Sequence, residues 1–192
     1  MKVFMNKLIL FAITALLASC GPPKPYPSEH PHVNHAYAIN YKTDVELQRK
    51  GFYQSITSWR HQDKIKYFKR YYETKSVQFK DVDEARRFFC KFIDDFLAPL
   101  NNDTKLRPFI ENHPLTWRNF DVYICFYDTD GQILHPPYIH QMRNTLEDFI
   151  CEDYDPVAGK FILIHKEPMS IAYEIYKKEQ NEKQDKIDTK TL

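Results

Sequence analysis

Residues 81–100 have the sequence DVDEARRFFCKFIDDFLAPL, the clearest structural element in the chain. Seven apolar residues recur at helical spacing on one side of this segment, and charged residues occupy the other side. Asp81 is placed to cap a helix, with Glu84 three residues later as its capping-box partner. We therefore predict a helix over 81–100 that anchors the core. Its apolar face consists of Ala85, Phe88, Phe89, Phe92, Ile93, Phe96 and Leu97.

Four strands are predicted after this helix. Residues 119–127 alternate strictly between apolar and polar side chains, which is typical of a half-buried strand. Pro136 and Pro137 would leave the second strand at an edge or broken, because proline cannot donate to a ladder. The other three strands are predicted at 132–142, 146–153 and 160–165.

The remaining elements indicate an α+β fold, because helices and strands are segregated rather than alternating. We expect a short helix over 44–50, a C-terminal helix over 168–179, and a strand over 64–79, where Tyr and Phe favour strand over helix. The prediction is a single domain over 44–180. It contains a twisted, mainly antiparallel sheet of about 4–5 strands, packed by one long helix and a C-terminal helix. Residues 181–192 are predicted to form a flexible charged tail.

The N-terminus has the pattern of an export signal. Lys2 and Lys7 are followed by an apolar segment over 8–17, which is too short to span a bilayer. Leu17-Ala18-Ser19-Cys20 then resembles the lipobox of bacterial lipoproteins. The resemblance implies a signal peptide over 1–19 and a lipid on Cys20. The alternatives are an ordinary secretory signal or a short membrane anchor.

The lipoprotein resemblance implies a cell-envelope location, with the membrane bound through the lipid at Cys20. Gly21 replaces the aspartate that retains such proteins in the inner membrane, so the outer membrane is favoured. Residues 20–43 are predicted to be a Pro-rich tether. Removing Lys2 and Lys7 leaves 25 basic against 26 acidic side chains, a net charge of −1, which argues against nucleic acid as a partner.

Part of the domain also resembles uncharacterised lipoproteins of chlamydia-like bacteria. The resemblance rests on residues 84–108 and 112–126 and on Pro136-Pro137-Tyr138-Ile139, and it implies no activity. The four glycines are too dispersed for a phosphate-binding loop, and no G-x-S-x-G, H-E-x-x-H or C-x-x-C motif occurs. We therefore expect a non-catalytic binding or structural module without a cofactor. Its partner would be another envelope protein, a glycan or a lipid headgroup.

Two groups of residues are candidates for binding. His30, His32 and His35 could hold a metal ion, although a polar linker with scattered histidines has the same pattern. The stretch from 59 to 72 mixes basic and aromatic residues, as glycan or headgroup surfaces do, but a half-buried strand with a solvated basic side would look the same. The candidate contacts within it are Trp59, Arg60, Lys66 and Arg70.

The alternative function is an envelope hydrolase or metal-dependent enzyme that uses the region 135–167. Its candidate groups are His135, His140 and His165, with Asp148 or Glu167 nearby. Three cysteines follow Cys20, namely Cys90, Cys125 and Cys151. They are either small core residues or, in an oxidising compartment, include one disulfide, for which Cys125–Cys151 is the favoured pair.

Overall fold

The apolar stripe at residues 81–100 forms the central helix of the domain. Within residues 28–61 and 63–190, the part that the computed structural model describes, the chain forms three α-helices and six strands. The helices are α1 (Pro31–Arg49), α2 (Val82–Asn102) and α3 (Met169–Lys190). The strands are β1 (Phe52–His61), β2 (Ile65–Thr74), β3 (Phe120–Phe126), β4 (Gln141–Asn144), β5 (Asp148–Asp155) and β6 (Lys160–Pro168).

The six strands form one sheet whose spatial order follows the chain order. Neighbouring strands are antiparallel except β2 and β3, which are parallel because α2 crosses over between them. The predicted α+β class is confirmed, but the predicted count of 4–5 strands is low. The sequence did not indicate β1, because this strand lacks the alternation of apolar and polar residues. Among its described side chains, only that of Phe52 is buried.

The predicted face of α2 packs on one face of the sheet, which we call the helix face. The Phe96 and Phe120 rings stack at 4.4 Å between centroids, and the Phe89 and Phe149 rings lie 5.1 Å apart. Asp81 Oδ1 accepts a hydrogen bond from the Glu84 backbone N–H at 2.8 Å and so caps the helix as predicted. The predicted packing of the long helix on the sheet is therefore confirmed.

The other two helices cover the same face. Asp44 of α1 accepts a hydrogen bond from the Tyr72 hydroxyl at 2.6 Å, and Tyr72 also contacts Phe92 of α2. Tyr173 of α3 donates to Asp94 of α2 at 3.2 Å. The three helices therefore lie side by side over one face of the sheet. The inward residues of α3 are Met169, Ala172 and Tyr176.

Helix α1 corrects the prediction of a tether over 20–43. The helix begins at Pro31, a first-turn position where proline loses no hydrogen bond, and it buries Val33 and Ala36 completely. It ends before Gly51, whose φ of +86° favours glycine. A Cβ at Gly51 would lie 1.8 Å from Ser76 Oγ, so the close approach of the chains also requires glycine.

Two boundaries in the second half of the chain also differ from prediction. In place of the strand predicted at 132–142, the chain forms only the four-residue strand β4. The segment that precedes β4 contains Pro136-Pro137. Helix α3 continues to Lys190, beyond its predicted end at 179 and into the predicted tail over 181–192. No helix in the described residues combines the length and apolar character needed to cross a membrane.

Candidate binding surface

The second face of the sheet, which we call the open face, contacts no helix of the described residues. Strand alternation divides β2 between the two faces: Phe68, Arg70 and Tyr72 point to the helices, and Lys69 and Tyr71 point away. The strand pairing then places Tyr71 beside Tyr123, and Tyr123 beside Arg143. The open face is lined by Tyr67, Lys69, Tyr71, Asp121, Tyr123, Arg143 and Glu152.

Two stacked tyrosines form the centre of the open face. The rings of Tyr71 and Tyr123 lie 4.4 Å apart between centroids, with 14° between their planes. The Lys69 ammonium lies 5.3 Å from the first ring and 5.1 Å from the second. The Arg143 guanidinium lies 5.8 Å from the Tyr123 ring. These distances are those of cation–π contacts, so both cations are held against the aromatic pair.

Each central cation of the open face is also neutralised by a carboxylate. Lys69 Nζ lies 3.4 Å from Asp121 Oδ2. Arg143 donates two hydrogen bonds to Glu152, at 2.8 and 3.1 Å, in the bidentate arrangement that fixes both side chains. The open face therefore presents rings and planar hydrogen-bonding groups with little net charge.

Neighbouring groups reinforce the ordinary protonation states of two residues at the centre of the open face. A hydrogen bond to the Tyr71 hydroxyl is the main cause that raises the pKa of the Lys69 ammonium. Burial raises the pKa of the Tyr123 hydroxyl. Lys69 therefore stays charged and Tyr123 stays protonated, and this part of the surface keeps the same donors between pH 6 and 8.

The ligand contacts predicted from the sequence need correction. Arg70 is 2% exposed, and its guanidinium lies 5.5 Å from the Phe96 ring, because Arg70 shares with Phe68 and Tyr72 the side of β2 that points to the helices. Lys66 forms an ion pair with Glu111 at 3.1 Å. The side chains of Trp59 and Arg60 lie outside the described residues. The signal that identifies the open face is the spacing of two between Tyr67, Lys69 and Tyr71.

The predicted metal site at the N-terminal histidines does not form. His35 Nε2 lies 3.0 Å from Asp103 Oδ2, whereas the His32 ring stacks on Phe109 at 4.4 Å. Helix α1 thus points two of its histidines at different parts of the connection after α2, and His30 precedes the helix. Nowhere in residues 28–61 and 63–190 do three His, Cys, Asp or Glu side chains come together in a group that could hold a metal ion.

The same result applies to the histidines of the region 135–167. His140 is buried, and its Nδ1 donates to the Phe126 carbonyl at 3.0 Å, so it is used within the fold. Burial is the main cause that lowers its pKa. His165 lies 3.4 Å from Glu167, which also binds the guanidinium of Arg86. His135 is exposed. No acid–base or metal group assembles from these residues.

Cys125 and Cys151 are free thiols, as is Cys90, so the disulfide, one of the two alternatives predicted for these cysteines, does not form. Strand β4 separates the two cysteines, because Cys125 pairs with Gln141 and Cys151 pairs with Met142. Two strand spacings amount to about 9.5 Å, more than the Cα separation that a disulfide allows. Cys125 donates to Gln141 Oε1 at 3.5 Å on the open face, whereas Cys151 is buried in the core.

Comparisons of the chain with protein-family models, with curated proteins and with solved structures found no match. The sequence and the surfaces of this structure are therefore what indicate a function.

Proposed function

We propose that this protein is a lipid-anchored component of the bacterial cell envelope that binds an envelope polysaccharide on its open face. The observation that carries the proposal is the stacked pair of Tyr71 and Tyr123, with Lys69 and Arg143 held against it, on a sheet face that no helix of residues 28–61 and 63–190 covers. The protein acts as a binding module and catalyses no reaction.

A glycan fits the chemistry of the open face better than a polyanion. Sugar rings offer C–H groups to aromatic rings and hydroxyl groups to planar donors and acceptors. The pair of Arg143 and Glu152 supplies both donors and acceptors within reach of Tyr123. A lipid headgroup or another polyanion requires excess positive charge, whereas Lys69 and Arg143 already have carboxylate partners.

The location rests on the lipobox, whose residues lie outside the described part of the chain. Leu17-Ala18-Ser19-Cys20 supplies a small-residue cleavage site and the thiol that receives the lipid. Gly21 favours the outer membrane. A lipid at Cys20 would hold the domain beside envelope polysaccharide and raise its effective concentration there.

Lipidation is tested by mass spectrometry of the N-terminal peptide from the protein in its own cell. We expect a diacylglyceryl group on the thiol of Cys20 and a new N-terminus at that residue. In the Cys20→Ser variant, the protein should leave the detergent phase or stay uncleaved. An unmodified Cys20 would contradict the envelope anchor.

Ligand binding is tested by co-sedimentation of the full chain with insoluble, protein-free peptidoglycan. The test variant is Tyr71→Ala/Tyr123→Ala. The control is Phe109→Ala, because Phe109 is an exposed aromatic residue that stacks on His32 of α1, away from the open face. Wild type and control should sediment, and the double variant should bind at least about tenfold more weakly, since each stacked ring is worth roughly 1 kcal/mol. Equal binding by all three proteins, or no binding by wild type, would contradict the proposal.

A further inference from the structure

Strand β6 is an edge of the sheet with an unusual composition. It pairs only with β5 within the described chain, so the backbone groups on its outer side have no strand partner there. Four consecutive apolar residues lie on it, each about half exposed: Phe161 (50%), Ile162 (44%), Leu163 (57%) and Ile164 (45%). An apolar edge of this kind is a template for pairing with another strand.

Helix α3 extends the apolar surface beside this edge. Tyr173 and Lys177 face α2, since both contact Asp94. Because successive residues of a helix are rotated by 100°, Ile171 lies on the side of α3 that is opposite to Tyr173 and Lys177. This side faces away from α2, toward the edge of the sheet that β6 forms. Ile171 is 44% exposed. The edge and the helix therefore present apolar side chains in the same direction.

We propose that this surface binds a second copy of the chain, with the β6 strands paired antiparallel across a two-fold axis. An axis normal to the sheet keeps the helices of both copies on one face. Only residues that point to the same face can then oppose each other. Ile162 pairs with Asp153, and Leu163 with Glu152, so these two neighbours of β6 point to opposite faces. They cannot oppose each other in the dimer.

Strand geometry selects one register among those that remain. An axis at Leu163 would place Phe161 opposite His165 of the partner subunit. Phe161 pairs with Tyr154 and His165 pairs with Cys151, so the irregularity of β6 between Leu163 and His165 puts these two side chains on opposite faces. An axis at Ile162 pairs that residue with its own copy and pairs Phe161 with Leu163 of the partner subunit. This register matches apolar side chains on both faces of the continuous sheet. It also brings the Ile171 sides of the two α3 helices toward each other.

The size of the surface predicts a weak dimer. The exposed parts of Phe161, Ile162, Leu163, Ile164 and Ile171 amount to roughly 800–1,000 Å² over two copies, below the approximately 1,200 Å² of standard stable interfaces. The two chains should therefore associate reversibly. A covalent trap at the axis is the appropriate test, because a weak dimer dissociates on dilution.

The experiment is disulfide cross-linking of the full chain in its own membrane after copper-catalysed oxidation. The test variant is Ile162→Cys, and the matched control is Ile164→Cys, which has nearly the same exposure. In the proposed register, the two copies of residue 162 face each other, whereas the two copies of residue 164 lie about 13 Å apart along the strands. Burial raises the pKa of Cys90 and Cys151 to about 12 and that of Cys125 to about 11, so the native thiols should react little.

We expect a covalent homodimer from Ile162→Cys and at least fivefold less from Ile164→Cys. Adding Leu163→Lys to Ile162→Cys should abolish the cross-link, because the new charge would oppose Phe161 of the partner subunit. Equal yields from the two cysteine variants, no dimer from Ile162→Cys, or a cross-link to a different protein would overturn the proposal. Because β6 is distant from Tyr71, failure of this test would leave the peptidoglycan result unchanged.

Discussion

The two faces of the sheet use the same strands for different purposes. On the helix face, Phe68, Tyr72 and Phe120 are almost completely buried beneath α1 and α2. On the open face, the intervening residues Tyr71 and Tyr123 stay partly exposed and hold cations against their rings. The difference teaches that strand alternation, rather than ring type, separates the aromatic residues that build the fold from those available to a ligand. The predictions below test this separation.

The largest difference between the faces is expected for aromatic truncation. Phe92 is 6% exposed and contacts Phe52, Tyr72 and Phe88. Phe92→Ala should reduce the free energy of unfolding by about 3–5 kcal/mol, because it removes a buried ring and leaves a cavity. Tyr123→Ala on the open face should cost about 1 kcal/mol. Chemical denaturation measures both changes, and similar losses would show that the open face also carries the fold.

The adjacent cations Arg70 and Lys69 of β2 lie on different faces of the sheet, and their removal should have different effects on stability. Arg70→Met should cost about 3 kcal/mol, because Asp44 would keep only the Tyr72 hydroxyl as a partner in a buried site. Lys69→Met should cost less than about 1 kcal/mol, since its ion pair with Asp121 is partly exposed. Denaturation of each variant, and of Arg70→Met/Asp44→Leu, measures the effects. The double variant should recover part of the loss; no recovery would contradict the assignment of the loss to an unpaired Asp44.

The smallest expected effect concerns pH. Burial lowers the pKa of His140, so the unfolded chain binds more protons than the folded protein as the pH falls below about 6.5. The free energy of unfolding should therefore decrease from pH 7 toward pH 5. His140→Gln should flatten this decrease, whereas His135→Gln, at an exposed position, should preserve it. Denaturation midpoints across this range provide the measurement, and an unchanged slope in His140→Gln would contradict the prediction.

The sequence was most informative where one periodic pattern determined one element. Helix α2 and strand β3 were predicted within two residues of their observed ends, because apolar spacing dominates both. Only the last turns of helix α1 were predicted, as the short helix over 44–50, because polar residues, Asn40 and Asp44, occupy buried positions on its inner side and conceal its amphipathic pattern. The prolines up to and including Pro31 also favoured the prediction of a tether, although proline is compatible with the first turn of a helix.

The candidate site depends on contacts that no local pattern contains. Tyr71 and Tyr123 meet only because β2 and β3 pair in parallel after a crossover through α2. The sequence favoured basic residues of the stretch 59–72 without separating the two faces, and so it selected Arg70 rather than Lys69. The same uncertainty of pairing led to the Cys125–Cys151 disulfide, since the sequence did not place β4 between the two strands.

Hydroxyl-radical footprinting of the full chain, with and without added peptidoglycan, tests the central claim most directly. Mass spectrometry reports the oxidation of each aromatic side chain, so one experiment compares both sides of the molecule. We predict that peptidoglycan protects Tyr71 and Tyr123 and leaves Phe109 as reactive as before. Protection of Phe109 with no change at the two tyrosines would contradict the assignment of ligand binding to the open face.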